Sequence, residues 1–258
     1  MTDFLKLGSK KIEIQWYQVE QKDRPTLIFL HEGLGCTRMW KDFPQKLSQS
    51  TGCPALVFSR FGYGNSDSSP LPWKINFMHT EALKVLPDII ETAHIKNYIL
   101  IGHSDGGSIG IIFAGKSYSK GLKGLITEAA HVFCEKITVD CIRLAKVNYD
   151  HHDLKQGLEK YHGKNTENAF RGWNDIWLHP KFIKWNIEKY LNKIKVPVLA
   201  LQGRDDQYGT VKQIESIKRH VNHVETCLID DCSHSPHNEQ PDQTLKIMIQ
   251  FILRIIAS

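Results

Sequence analysis

The sequence has no apolar run of the ~18 residues that a membrane-crossing helix requires. Its most apolar end, KIMIQFILRIIAS, is broken by Gln250 and Arg254. It also has no block of five or six like charges. The net charge of +5 is spread over 258 residues, which gives no basis for nucleic-acid or membrane-surface binding. Six cysteines (Cys36, Cys53, Cys134, Cys141, Cys227 and Cys232) include no C-x-x-C pair and no framework spacing, so neither a zinc module nor a disulfide scaffold is expected. The first residues, MTDFLKLGSKK, lack the apolar core of a secretion signal. Free thiols in the reducing cytoplasm are therefore the expectation. No internal repeat or low-complexity tract is present, which excludes a solenoid.

What the chain does have is an alternation of short apolar runs and helical spacings. Lys11 to Val19 alternates polar and apolar residues and reads as an antiparallel edge strand. The runs at 26–31 and 98–101 read as buried strands, 54–59 as another short apolar strand, and 121–130, 196–203 and 223–229 as further strands. Helical spacing occupies 76–95, with Pro87 as a potential kink, then 109–114, 211–220 and 238–257. Strands alternating with helices predict an α/β fold with a mostly parallel sheet. Residues 133–192 break the rhythm with helical patterns alone. The expected division is a core of 1–132 plus 193–258 and an inserted helical cap at 133–192. Ligands in such sheets bind beyond the carboxyl ends of the strands, so the loops there carry the functional expectation.

One of those loops is Gly102-His103-Ser104-Asp105-Gly106, a G-x-S-x-G turn between a strand and a helix. The serine sits on a sharp turn that lifts its hydroxyl above the sheet, and side chains two residues to either side would collide with the turn. The following helix directs free N–H groups toward the same point, where an oxyanion would form. Two further strand ends supply partners. Arg204-Asp205-Asp206 follows one and Asp231-Cys232-Ser233-His234 follows the next. Serine is a weak nucleophile until an imidazole removes its proton, and the imidazole needs a carboxylate to fix its tautomer and stabilise its cation. The order Ser104, Asp206, His234 is the one associated with G-x-S-x-G enzymes.

With these motifs the chain resembles the α/β-hydrolase superfamily over about residues 20 to 256. The matching segments are HEGLG at 31–35, RFGYGNSD at 60–67, GHSDGG at 102–107, GRDD at 203–206 and SHSPHNEQP at 233–241. The resemblance implies the α/β-hydrolase fold, a mostly parallel central sheet with helices on both faces and a helical cap insertion. It implies catalytic roles for Ser104, Asp206 and His234, with Asp205 and His237 as the lesser candidates. The backbone oxyanion hole would come from Gly33 and Asp105, with Leu34 as the fallback. The family commonly has His-Gly-x-x-Gly at the first motif; Glu32 replaces its first glycine here, and Ser233 replaces the glycine usual before the histidine.

The expected activity is hydrolysis of small or medium carboxylic esters or thioesters through an acyl-enzyme on Ser104, with no cofactor and no metal. Two alternatives stand beside it: a carbon–carbon bond hydrolase or lyase using the same triad, and a catalytically silent ligand-binding protein on the same fold. The expected partner is a small-molecule acyl ester or thioester, not nucleic acid or membrane, with the protein a monomer or homodimer. His31 and His103 read as packed or loop-ordering histidines, and His151-His152-Asp153 as a solvated turn. Nine aromatics fall within residues 133–192, whose ten Lys or Arg nearly balance eight Asp or Glu. Some of these aromatics should glue the cap to the sheet and the rest should line an apolar pocket. That near balance points to an uncharged acyl group.

Overall fold

The computed structural model describes residues 3–19, 23–116 and 120–257. Its strands are β1 (Asp3–Leu7), β2 (Lys10–Tyr17), β3 (Thr26–Leu30), β4 (Ala55–Phe58), β5 (Tyr98–His103), β6 (Leu122–Glu128), β7 (Val198–Gly203) and β8 (Val224–Ile229). They form one sheet of eight strands in the order β1-β2-β4-β3-β5-β6-β7-β8. From β4 to β8 all neighbours run parallel, while β2 is antiparallel to both β1 and β4. The alternating segment expected at the edge is therefore the second strand. β1, five residues long and mostly exposed, covers it through a turn at Gly8. So short a polar-apolar run carries little pattern of its own.

The helices are α1 (Phe43–Thr51), α2 (Phe77–Thr80), α3 (Leu86–Thr92), α4 (Asp105–Ala114), α5 (Lys136–His151), α6 (Leu154–His162), α7 (Thr166–Trp177), α8 (Lys212–His220), α9 (Pro236–Glu239) and α10 (Pro241–Ala257). A π-helical stretch, Glu81–Val85, joins α2 to α3. Pro87 has no N–H for the carbonyl four residues earlier and crowds it, and the wider turn lies directly before it. The expected kink is thus a π insertion within one helical run.

Strand residues alternate between two apolar clusters because successive side chains point to opposite faces. Leu27, Phe29, Ile99 and Ile101 pack with Phe43 and Leu47 of α1 and Met248 and Phe251 of α10. Ile28, Leu30 and Leu100 pack with Leu86, Ile109 and Ile112, and with Ile214 of α8. Helices on both faces leave the carboxyl ends of β3, β5, β6, β7 and β8 to the loops. Between β6 and β7 the chain carries α5, α6 and α7 plus short 3-10 turns, and no strand of the sheet. Its aromatics form two main contacts: Tyr149 stacks on Phe170 at 3.6 Å, and Phe182 stacks on Trp185 at 5.3 Å beside Trp177. No helix of the described residues is long and apolar enough to cross a membrane.

Candidate active site

Ser104 stands at the end of β5 and caps α4. Its φ of 51° is unusual for a residue with a side chain, a conformation that costs about 1–3 kcal/mol and persists only where the surroundings enforce it. They do so here. The Ser104 N–H donates to the Glu128 carbonyl at 2.8 Å. A Cβ on Gly102 would stand 2.4 Å from the Gly106 carbonyl oxygen, and one on Gly106 would stand 2.0 Å from that of Leu30. Both glycines are required because strand, helix and neighbouring strand touch at backbone distance.

Asp206 follows β7 and His234 follows β8. His234 Nδ1 lies 2.8 Å from Asp206 Oδ1. That same oxygen accepts from the N–H groups of Tyr208 at 2.8 Å and Gly209 at 3.3 Å. Burial raises the Asp206 pKa, but the hydrogen bond and charge of His234 and the Tyr208 N–H outweigh it, and the carboxyl ends below its usual range. Asp205 is exposed and makes only a backbone bond to the Cys232 carbonyl. His237, the other histidine of this loop, is buried against Trp40, with ring centroids 4.4 Å apart. Both its backbone N–H and its Nδ1 reach Glu128 Oε2, at 2.9 and 3.0 Å. It staples α9 to the end of β6.

A cavity of about 160 Å³ joins these parts. Ser104, Asp105, His234, Gly33 and Leu34 all line it, together with Glu32, His131, Thr138, Ile142, Trp173, Trp177 and Tyr208. The strand-end loops and the 133–192 segment thus close on one space. Of that segment's nine aromatics, Trp173 and Trp177 reach it, while Tyr208 comes from the loop after β7 and lies over His234 at 4.7 Å between ring centres. Gly33 is pressed under Trp173: a Cβ there would fall 2.2 Å from the indole nitrogen.

Two residues that the motif alone did not assign connect the loops. His103 Nε2 donates to the His234 carbonyl at 2.8 Å, while its Nδ1 lies 3.4 Å from Glu32 Oε2. One imidazole therefore ties the serine turn, the histidine loop and the Gly33 loop together. Burial pushes the His103 pKa down, but the Glu32 carboxylate, Glu128 and the His234 carbonyl raise it further, to about 9. Glu32 is correspondingly held well below the carboxylate range despite burial. His31 orders the same loop: its Nδ1–H donates to the Glu32 carbonyl at 2.7 Å and its Nε2 accepts from the Arg60 N–H at 3.0 Å. Burial first, then Arg60, keeps it neutral. Glu32 and Glu128 were missed because each acts on a histidine far away in the sequence, His103 and His237 respectively. The replaced glycine at 32 was the only signal for the first. His151, the last residue of α5, and His152 and Asp153 after it lie exposed, and the six cysteines are unpaired.

A buried carboxylate on one ring nitrogen and a serine held above the sheet beside a helix N-terminus make an arrangement suited to nucleophilic attack on a carbonyl. The chain belongs to the alpha/beta hydrolase family, whose pattern it matches over residues 27–247. It is 20% identical to a proline iminopeptidase of Lactobacillus helveticus, with 90% of this chain and 91% of that protein aligned. A protein of Mycoplasma pneumoniae named as an esterase/lipase is 25% identical over 85% of this chain and 86% of its own. Among solved structures, an esterase from Exiguobacterium antarcticum superposes with a TM-score of 0.79, covering 98% of this chain and 99% of that one at 16% identity. Hydrolase chemistry is common to these names; the bond cleaved is not.

Proposed function

We propose that the protein is a serine hydrolase of small or medium carboxylic esters or thioesters, working through an acyl-enzyme on Ser104. The observation that supports it most is the 2.8 Å His234–Asp206 hydrogen bond on the rim of the cavity that also holds Ser104. His234, oriented with Nδ1–H toward Asp206, takes the Ser104 proton at Nε2 as the oxygen attacks the acyl carbon. The carbonyl electrons move onto oxygen, facing the backbone N–H of Asp105 and of Gly33 or Leu34. Collapse expels the alcohol or thiol, which receives the proton from His234. Water then repeats the sequence on the acyl-enzyme and releases the carboxylic acid.

Cavity size supports the short acyl group. About 160 Å³ falls below the roughly 300–1,000 Å³ of sites for drug-sized ligands and matches a void that admits a benzene-sized group. A fluorophosphonate probe tests the nucleophile: intact-mass analysis should find one adduct on the wild type and none on Ser104→Ala. The variant should keep its thermal midpoint and lose at least ninety per cent of p-nitrophenyl acetate turnover, as a triad member's loss leaves only binding and oxyanion-hole catalysis. A fully active Ser104→Ala protein defeats the proposal.

A further inference from the structure

We propose that the acyl group of the substrate carries an ammonium, at its α or β carbon, and that Asp105 binds it. This rests on the serine-hydrolase reading and narrows its substrate class. It also replaces the uncharged acyl group expected from the charge balance of residues 133–192.

Asp105 follows the nucleophile and lines the cavity, with its side chain wholly out of bulk solvent. Trp177 Nε1–H donates to its Oδ1 at 3.2 Å, and its Oδ2 has no hydrogen-bond partner. A buried carboxyl oxygen left without a donor costs about 1–3 kcal/mol, more when charged, and so calls for one. No lining residue donates to Oδ2. Among the described residues that line the cavity there is no Lys or Arg, and the second carboxylate, Glu32, is engaged by His103. His131 is driven by burial to a pKa of about 3 and stays neutral. Arg60 acts on Asp105 through its charge but lies outside the lining; its Nε and Nη2 are bonded to His31 and the Glu32 carbonyl, and its Nη1 makes no hydrogen bond to Asp105.

Burial raises the Asp105 pKa to about 6 even though Arg60, Trp177 and His103 oppose it and only Glu32 adds to it. The carboxylate is thus undercompensated as the protein stands. Trp173, Trp177 and Tyr208 add aromatic surface around the same space, which favours a cation over a neutral group of equal size. The chemistry gives a further reason. A bare carboxylate beside the serine opposes the oxyanion that forms at the Asp105 N–H. A substrate ammonium offsets that charge already in the bound complex, and its attraction grows as the oxyanion forms, so part of the binding energy is realised in the transition state.

The test compares benzyl esters of L-alanine, L-lactate and propionate, which differ only in carrying NH3+, OH or H, with benzyl alcohol release read as kcat/KM. The expected result is a preference for the alanine ester over the propionate ester of about tenfold or more, with lactate close to propionate. In Asp105→Asn, which keeps the backbone N–H, the alanine/propionate ratio should collapse toward one, whatever happens to the two rates in common. Wild-type protein gives an independent reading should that variant not fold. The ratio should fall as pH drops through about 6, where Asp105 protonates, and fall again above the α-amino range of about 8. Cleavage of the propionate ester through Ser104 with no ammonium preference overturns this inference alone. Cleavage of none of the three by wild type overturns it together with the hydrolase reading.

Discussion

Replacing Asp206 by asparagine isolates what the carboxylate contributes to His234. The usual expectation is a wrong imidazole tautomer, because an amide nitrogen facing the ring would force the ring nitrogen to accept. The surroundings of Asp206 prevent this. Oδ1, the oxygen facing His234, also accepts the Tyr208 and Gly209 N–H groups at 2.8 and 3.3 Å. An amide nitrogen in that position would face two backbone donors, so the oxygen of the introduced amide must occupy it and the His234 Nδ1–H tautomer survives. The amide nitrogen then replaces Oδ2, which accepts only a 3.4 Å contact from Gln202, a side chain already bonded to the Gly209 and Thr210 carbonyls. What is lost is charge. An imidazolium and a carboxylate about 4 Å apart at an effective dielectric of ~20 interact by about 4 kcal/mol, which corresponds to about a thousandfold in kcat. The assay is p-nitrophenyl acetate turnover together with a long-range proton–nitrogen spectrum of the histidines. A thousandfold loss with the Nδ1–H pattern retained is expected, and Asp205→Asn, at an exposed position, should stay within a few-fold of wild type. An Nε2–H pattern in Asp206→Asn, or a loss below tenfold, refutes the reasoning.

Two stability predictions accompany it. Gly106→Ala forces a Cβ to 2.0 Å from the Leu30 carbonyl oxygen and should cost several kcal/mol or prevent folding, whereas Gly157→Ala, in α6 with open space around it, should gain about 0.5–1 kcal/mol in urea melts. The His103–Glu32 pair should make stability pH-dependent. His103 titrates near 9 in the folded state against about 6.5 unfolded, so its contribution is complete below 6.5 and lost as pH rises through 9. The loss should be about 3 kcal/mol in wild type and absent in His103→Gln, compared by urea titrations at pH 6 and pH 10.

The parts of this site that were legible are those written within a few residues. Gly102 and Gly106 flank Ser104 because three backbones meet there, and that constraint leaves its mark at fixed spacing. The inner parallel strands were legible because burial on both faces removes polar alternation, whereas β8 is an edge strand only partly buried. Asp206 and His234 were legible because each follows such a strand, although choosing between Asp205 and Asp206 needed the resemblance. β1 was not legible, since five mostly exposed residues gain their structure only by pairing with β2. The π insertion was not legible either: Pro87 signals a disturbance but not which way the helix absorbs it.

The division between Trp173 and Trp177 on one side and Phe182 and Trp185 on the other explains why substrate preference lay beyond the sequence. All four are buried, so hydrophobicity does not separate them. What separates them is where they pack: Trp173 and Trp177 line the cavity beside Ser104, whereas Phe182 and Trp185 stack on each other outside its lining. Trp177 does both jobs, packing on Phe182 and Trp185 while its indole N–H fixes Asp105 beside Ser104. The 133–192 segment therefore reaches the serine turn through a specific hydrogen bond as well as by lining the cavity. Its net charge, the quantity that composition does report, says nothing about the two carboxylates that line the cavity, because Asp105 belongs to α4 and Glu32 to the loop after β3.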